Sequence, residues 1–207
     1  LLADIDMSSV NNFTPIGTTS TNAFSATFDG CGNTISGLKV SGVMYAGLFG
    51  YVSGGSISRV SVKDVTISGS NYAGGIAGSN NARGLITGGV PIAQVTAATY
   101  AGGAAGINYA DISNVNNQAP VRANDTLAGG IAGQNAAGGV IDGCRDTNRE
   151  VYATNGVAGG IAGTNAAGAV IRNAEITAGA TVTAANGAAG GFASENSGLI
   201  ENGTVRG

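Results

Sequence analysis

The chain has 207 residues, a net charge of −3 and only 10% charged residues, against about a quarter in an ordinary globular domain. Its nine Lys and Arg are scattered singly, which argues against a nucleic-acid or anionic-membrane partner, and no apolar run approaches the roughly 18 residues of a membrane span. Histidine is absent, so Ser-His and Cys-His catalysis and the commonest zinc ligand are excluded, and no metal or cofactor is expected.

The first residues, "LLADIDMSS", carry neither an initiator Met nor the pattern of a signal peptide, so the chain reads as a fragment or a processed form. Residues 1–42 hold no clear repeat. Phe24, Ala26 and Phe28 alternate with polar neighbours, as in a half-buried strand. Asp29–Gly30 follows as a turn, and Ile35, Leu38 and Val40 start a further apolar run. This segment is expected to form one or two irregular first rungs of the architecture that follows.

From residue 43 to residue 207 the chain repeats itself. The last Gly before the apolar residue of each "GGIAG"-like motif falls at Gly47, Gly75, Gly103, Gly130, Gly160 and Gly191, at spacings of 28, 28, 27, 30 and 31. An apolar residue follows each: Leu48, Ile76, Ala104, Ile131, Ile161 and Phe192. Five residues after the anchor come Val52, then Asn80, Asn108, Asn135, Asn165 and Asn196. A second apolar column holds Ile57, Ile86, Ile112, Ile141, Ile171 and Ile200. A third, looser β-like run closes each repeat.

Three short strands at this period predict an all-β fold, one coil of a parallel β-solenoid per repeat. About six such rungs are expected to stack as one continuous domain, right-handed by the crossover rule. Glycine at this density would cost helical repeats about 1 kcal/mol per residue. In a solenoid it lets the chain turn with positive φ and pack closely. The Asn column is expected to form an amide ladder from rung to rung. Asn155–Gly156 and Asn186–Gly187 mark corners where positive φ is tolerated.

The candidate chemistry is thin. No Lys follows a Gly-rich stretch, so no phosphate loop is present, and the glycine spacing is not that of a dinucleotide fingerprint. Asp4 and Asp6 would share one strand face. Asp142, Asp146 and Glu150 gather near Arg145 and Arg149 in "IDGCRDTNRE". They could supply a Ca²⁺ or sugar site, but a solvated corner loop is the favoured reading. Cys31 and Cys144 are expected on the order of 20 Å apart by strand spacing, so both should be free thiols. Thr66, Thr96, Thr154 and Thr183 stand at inconsistent offsets, so no ice-binding threonine face forms. Tyr45, Tyr72 and Tyr100 make a genuine column just before their anchors. They either pack over an edge or contact a ligand.

The lead-in "PIG" at Pro15–Gly17, "TFDGCGNTISGL" at Thr27–Leu38 and the core Gly47-Leu48-Phe49-Gly50 with its later copies resemble proteins carrying GLUG-motif repeats. The third copy, Gly103-Ala104-Ala105-Gly106, and the last, Gly191-Phe192-Ala193-Ser194, depart from the motif. The resemblance implies a bacterial secreted or cell-surface protein: a haemagglutinin-like adhesin, or the non-catalytic region of an immunoglobulin A metallopeptidase. It implies a non-enzymatic adhesive or structural scaffold, with a host or cell-surface protein or glycan as partner. The alternative it implies is a substrate-positioning region beside a catalytic domain. A polysaccharide-active β-helix enzyme is the third reading, and no repeated pair of acids supports it.

Overall fold

The computed structural model describes residues 1–147, 150–177 and 179–206. No helix occurs among them, and parallel strands stack as a β-solenoid of about seven turns. The register shows why the sequence repeats. Phe28, Ile57, Ile86, Ile112, Ile141, Ile171 and Ile200 lie one above another in a single column. In-register parallel pairing puts equivalent residues of successive coils in contact, so one residue type that packs well is chosen at every level. Five of these isoleucines are almost wholly buried, each worth about 1.5–3 kcal/mol on transfer from water.

A second interior column runs through Val40, Ile67, Val95, Val121, Val151 and Val182. Residues 1–42 join the same stack. Ile5 pairs with Ile35, and Ile35 with Val62. Phe24 and Phe28 pack on the buried Phe49 ring at centroid distances of 4.7 and 5.3 Å.

The two coils that begin at Leu127 and Val157 each have five short strands where three runs were expected. One coil comprises Leu127–Gly129, Ala132–Asn135, Val140–Asp142, Arg145–Asp146 and Glu150–Ala153. The two additional breaks are bends inside the expected strands. At one of them, Gly130-Ile131, the chain doubles back, and Leu127–Gly129 and Ala132–Asn135 become neighbours. A Cβ on Gly129 would lie 1.8 Å from the Ala132 carbonyl oxygen. One on Gly133 would lie 2.6 Å from the Gly106 carbonyl oxygen. Close approach is also what the anchors Gly47, Gly103, Gly130 and Gly160 serve, whereas a Cβ on Gly191 would meet nothing within 4 Å. None of the anchors Gly47, Gly75, Gly103, Gly130, Gly160 and Gly191 has a positive φ.

The left-handed residues lie elsewhere. The second bend holds Arg59, Gly88, Asn114, Gly143, Asn173 and Asn202, all with φ between 50° and 61°. Another left-handed position, at the turn after the Asn column, holds Gly54, Arg83, Gly138 and Gly168. The Asn155–Gly156 and Asn186–Gly187 corners use no positive φ. There a Cβ on Gly156 would strike the Thr126 carbonyl oxygen of the coil below at 1.8 Å. Those glycines let coils approach, which a dipeptide motif does not reveal.

Candidate binding groove

The polar interior is spent on stacking. Asn80, Asn108, Asn135 and Asn165 are buried. Each donates from Nδ2 to Oδ1 of the next Asn in the column, at 2.9, 2.9, 2.9 and 2.8 Å, ending on Asn196. Each also donates to a backbone carbonyl, for example Asn135 to Val170 at 3.1 Å. Val52 holds the level below Asn80, so Asn80 Oδ1 receives no donor among the described residues.

A second buried polar pair was not anticipated. Asn117 Nδ2 donates to Asp146 Oδ1 at 2.9 Å, and both residues are fully buried. Each lies five residues past its column isoleucine, Ile112 and Ile141, and an offset-by-offset reading of the repeat would have paired them. The expectation of a solvated loop thus fails at Asp146. It fails because this residue continues the interior column of Asn117 and Ile176.

The remaining acids are dispersed. Asp142 accepts from Arg172 at 2.9 Å and Asn173 at 2.8 Å. The Asn173 bond first, and the Arg172 charge with it, hold its carboxyl below the usual range. Glu150 accepts from Arg122 at 2.8 and 2.9 Å, and Arg122 lies 5.2 Å from the centre of the Tyr152 ring. Arg145 pairs with Glu175 at 3.5 Å. Arg149 lies outside the described residues. Asp4 accepts from the Thr34 amide and Asp6 from the Ser8 amide, so both carboxylates serve local backbone. Among the described residues no three His, Cys, Asp or Glu side chains gather as metal ligands. Cys31 is exposed, Cys144 is buried, and both thiols are free. Burial pushes the Cys144 thiol up to about 12.

The doubled-back arc sets two outer columns face to face. On one flank lie Tyr45, Tyr72, Tyr100, Leu127 and Val157. On the other lie Tyr51, Ser79, Ile107, Gln134, Thr164 and Glu195. At the first coil Tyr45 meets Tyr51 edge to face at 5.1 Å. The tyrosine column is a stack: Tyr45 on Tyr72 at 5.1 Å and 7°, Tyr72 on Tyr100 at 4.9 Å and 11°. Their faces are used on one another. Burial first, then neighbouring phenols, push the Tyr45 and Tyr72 hydroxyls up.

Farther along, smaller side chains replace the rings and the space opens. A cavity of about 380 Å³ is lined by Leu127, Gln134, Thr164, Ala166, Glu195 and Ser197, among others. No family model matches the chain, and no curated protein matches it. Among solved structures it is similar to a putative immunoglobulin A1 protease from Bacteroides ovatus, at 24% identity and a TM-score of 0.77. The match covers 100% of this chain and 76% of that one. At that identity the likeness shows a shared solenoid fold.

The outer threonines form no ladder on the face where a repeat would place one. The column there reads Ser41, Ser68, Thr96, Arg122, Tyr152 and Thr183.

Proposed function

We propose that this chain is a non-catalytic scaffold of a secreted or cell-surface bacterial protein of the GLUG-repeat kind, with an adhesive or structural role. The observation that carries this reading is the uninterrupted ladder of like residues, isoleucine on isoleucine and asparagine on asparagine. A chain whose interior is committed to stacking gains length and regular outer faces, which suit many weak contacts to a host or surface protein or glycan. The test is retention. The chain is immobilised on beads and challenged with surfaces coated with host glycoproteins. Binding without change in the mass of any partner supports the reading. Cleavage of a polysaccharide or protein by the chain alone would overturn it.

A second reading is a substrate-positioning region beside a peptidase domain, and the likeness to the Bacteroides ovatus protein favours it. Capture of immunoglobulin A1 by the chain, uncut, in preference to other glycoproteins would select it.

A further inference from the structure

We infer that the cavity on coils four to six is a binding site for a neutral, hydroxyl-rich glycan. The proposal rests on the scaffold reading, because it assigns a ligand to one flank of that scaffold. The first observation is the break in the repeat. The Ile column from Ile57 to Ile200 and the Asn column from Asn80 to Asn196 carry one residue type from coil to coil. The column through Ser79, Ile107, Gln134, Thr164 and Glu195 changes chemistry at every level.

The second observation is unspent hydrogen bonding. Gln134, Thr164, Glu195 and Ser197 all line the cavity. Thr164 is nine-tenths buried, and its hydroxyl has no partner among the described residues. A buried hydroxyl left unpaired is destabilising, and a ligand group would recover that loss. The volume of about 380 Å³ lies within the usual range for ligand sites, about 300–1,000 Å³.

The chemistry of the lining selects the ligand. Glu195 is the charged lining residue and is acidic, which disfavours phosphate, sulfate and uronate groups. An extended peptide would bind by adding to a free strand edge. Here Ala132–Asn135 and Ala162–Asn165 are paired on both sides by the coils above and below. Recognition must therefore come from side chains alone. Leu127 offers an apolar wall to the C–H face of a sugar ring. Gln134 and Thr164 can both donate and accept, and Glu195 accepts, which matches hydroxyls that do both.

The test titrates the full chain with neutral hexasaccharides of glucose, mannose and N-acetylglucosamine, with a heparin hexasaccharide as the anionic control. Amide shifts are followed by NMR. The expected result is saturable shifts at Ala166, Ala167 and Ser197 with at least one neutral probe, and none there with heparin. Thr164→Val should weaken that probe about tenfold, the loss of one hydrogen bond of about 1.4 kcal/mol, without lowering Tm. A purely structural threonine would not show this pair of effects. Gln134→Ala should weaken it similarly. The site is overturned if no neutral probe shifts these amides at millimolar concentration, if heparin binds there more tightly, or if both variants bind as the parent does. Bead retention that survives Thr164→Val keeps the scaffold reading and removes this site. Groove shifts with no bead retention do the reverse.

Discussion

Asn135 sits in mid-ladder, where it receives an Nδ2 proton from Asn108 and gives one to Asn165. Asn135→Ala would leave a buried donor on one side and a buried acceptor on the other. Each unpaired group costs about 1–3 kcal/mol, so a loss of roughly 2–4 kcal/mol is expected in urea unfolding. Asn196→Ala, at the exposed end of the same ladder, should cost under about 1 kcal/mol. Equal losses at the two positions would show that the ladder is not cooperative with burial. The thiols divide in the same way. Cys31 should react with a thiol reagent in the native chain, and Cys144 only after unfolding. Because the folded Cys144 thiol is held up at about 12 against an ordinary 9.0, its contribution to stability is complete below pH 9. It is lost as pH climbs towards 12. Tyr45 and Tyr72 are raised in the same sense. The urea midpoint should therefore fall through this alkaline range, and Cys144→Ala should make the fall shallower.

The arc around each anchor glycine is the element that the repeat exists to build, and three glycines separate the reasons for having one. Gly129→Ala would drive a Cβ to 1.8 Å from the Ala132 carbonyl oxygen. Backbone must move there, and a loss of at least about 3 kcal/mol is expected. Gly168→Ala meets open space but a φ of +78°, so about 1–2 kcal/mol is expected from left-handed strain. Gly191→Ala meets neither obstacle and should stay within about 0.5 kcal/mol. Thermal unfolding of the three variants checks the order. The period and the stacked Ile and Asn columns were legible in the sequence because in-register stacking forces one residue type to recur. The purpose of each glycine was not legible, since close approach depends on a bend that brings Ala132 back onto Gly129, or on a neighbouring coil about 30 residues away, as at Gly156 and Thr126. The left-handed bend was also hidden, because Arg59, Gly88 and Asn114 fill it in successive coils. The groove escaped for the opposite reason. Its residues, Gln134, Thr164 and Glu195, differ from coil to coil, and a reading built on recurrence passes over them.

At the scale of the whole molecule, the coil is the unit of stability. Each coil touches the one above and the one below, so the free energy of the stack is approximately a sum of coil and interface terms. Deleting Ile131 to Gly160 removes one complete repeat of 30 residues. The cut joins Gly130 to Ile161, which are neighbours of the same kinds as Gly130 and Ile131. Asn108 would then meet Asn165, and Ile112 would meet Ile171, so both columns close without a change of register. The shortened chain is expected to fold with the same β-type circular dichroism and a urea m-value reduced by roughly one coil in seven, since m follows the surface exposed. Deleting only residues 131–145 removes half a coil and sets asparagine against an outer-facing position. That chain is expected not to fold cooperatively. If the full-coil deletion unfolded as completely as the half-coil deletion, the stack would have to be held by contacts that skip coils. The pairings among its strands run from each coil to the next, and they give such contacts no path.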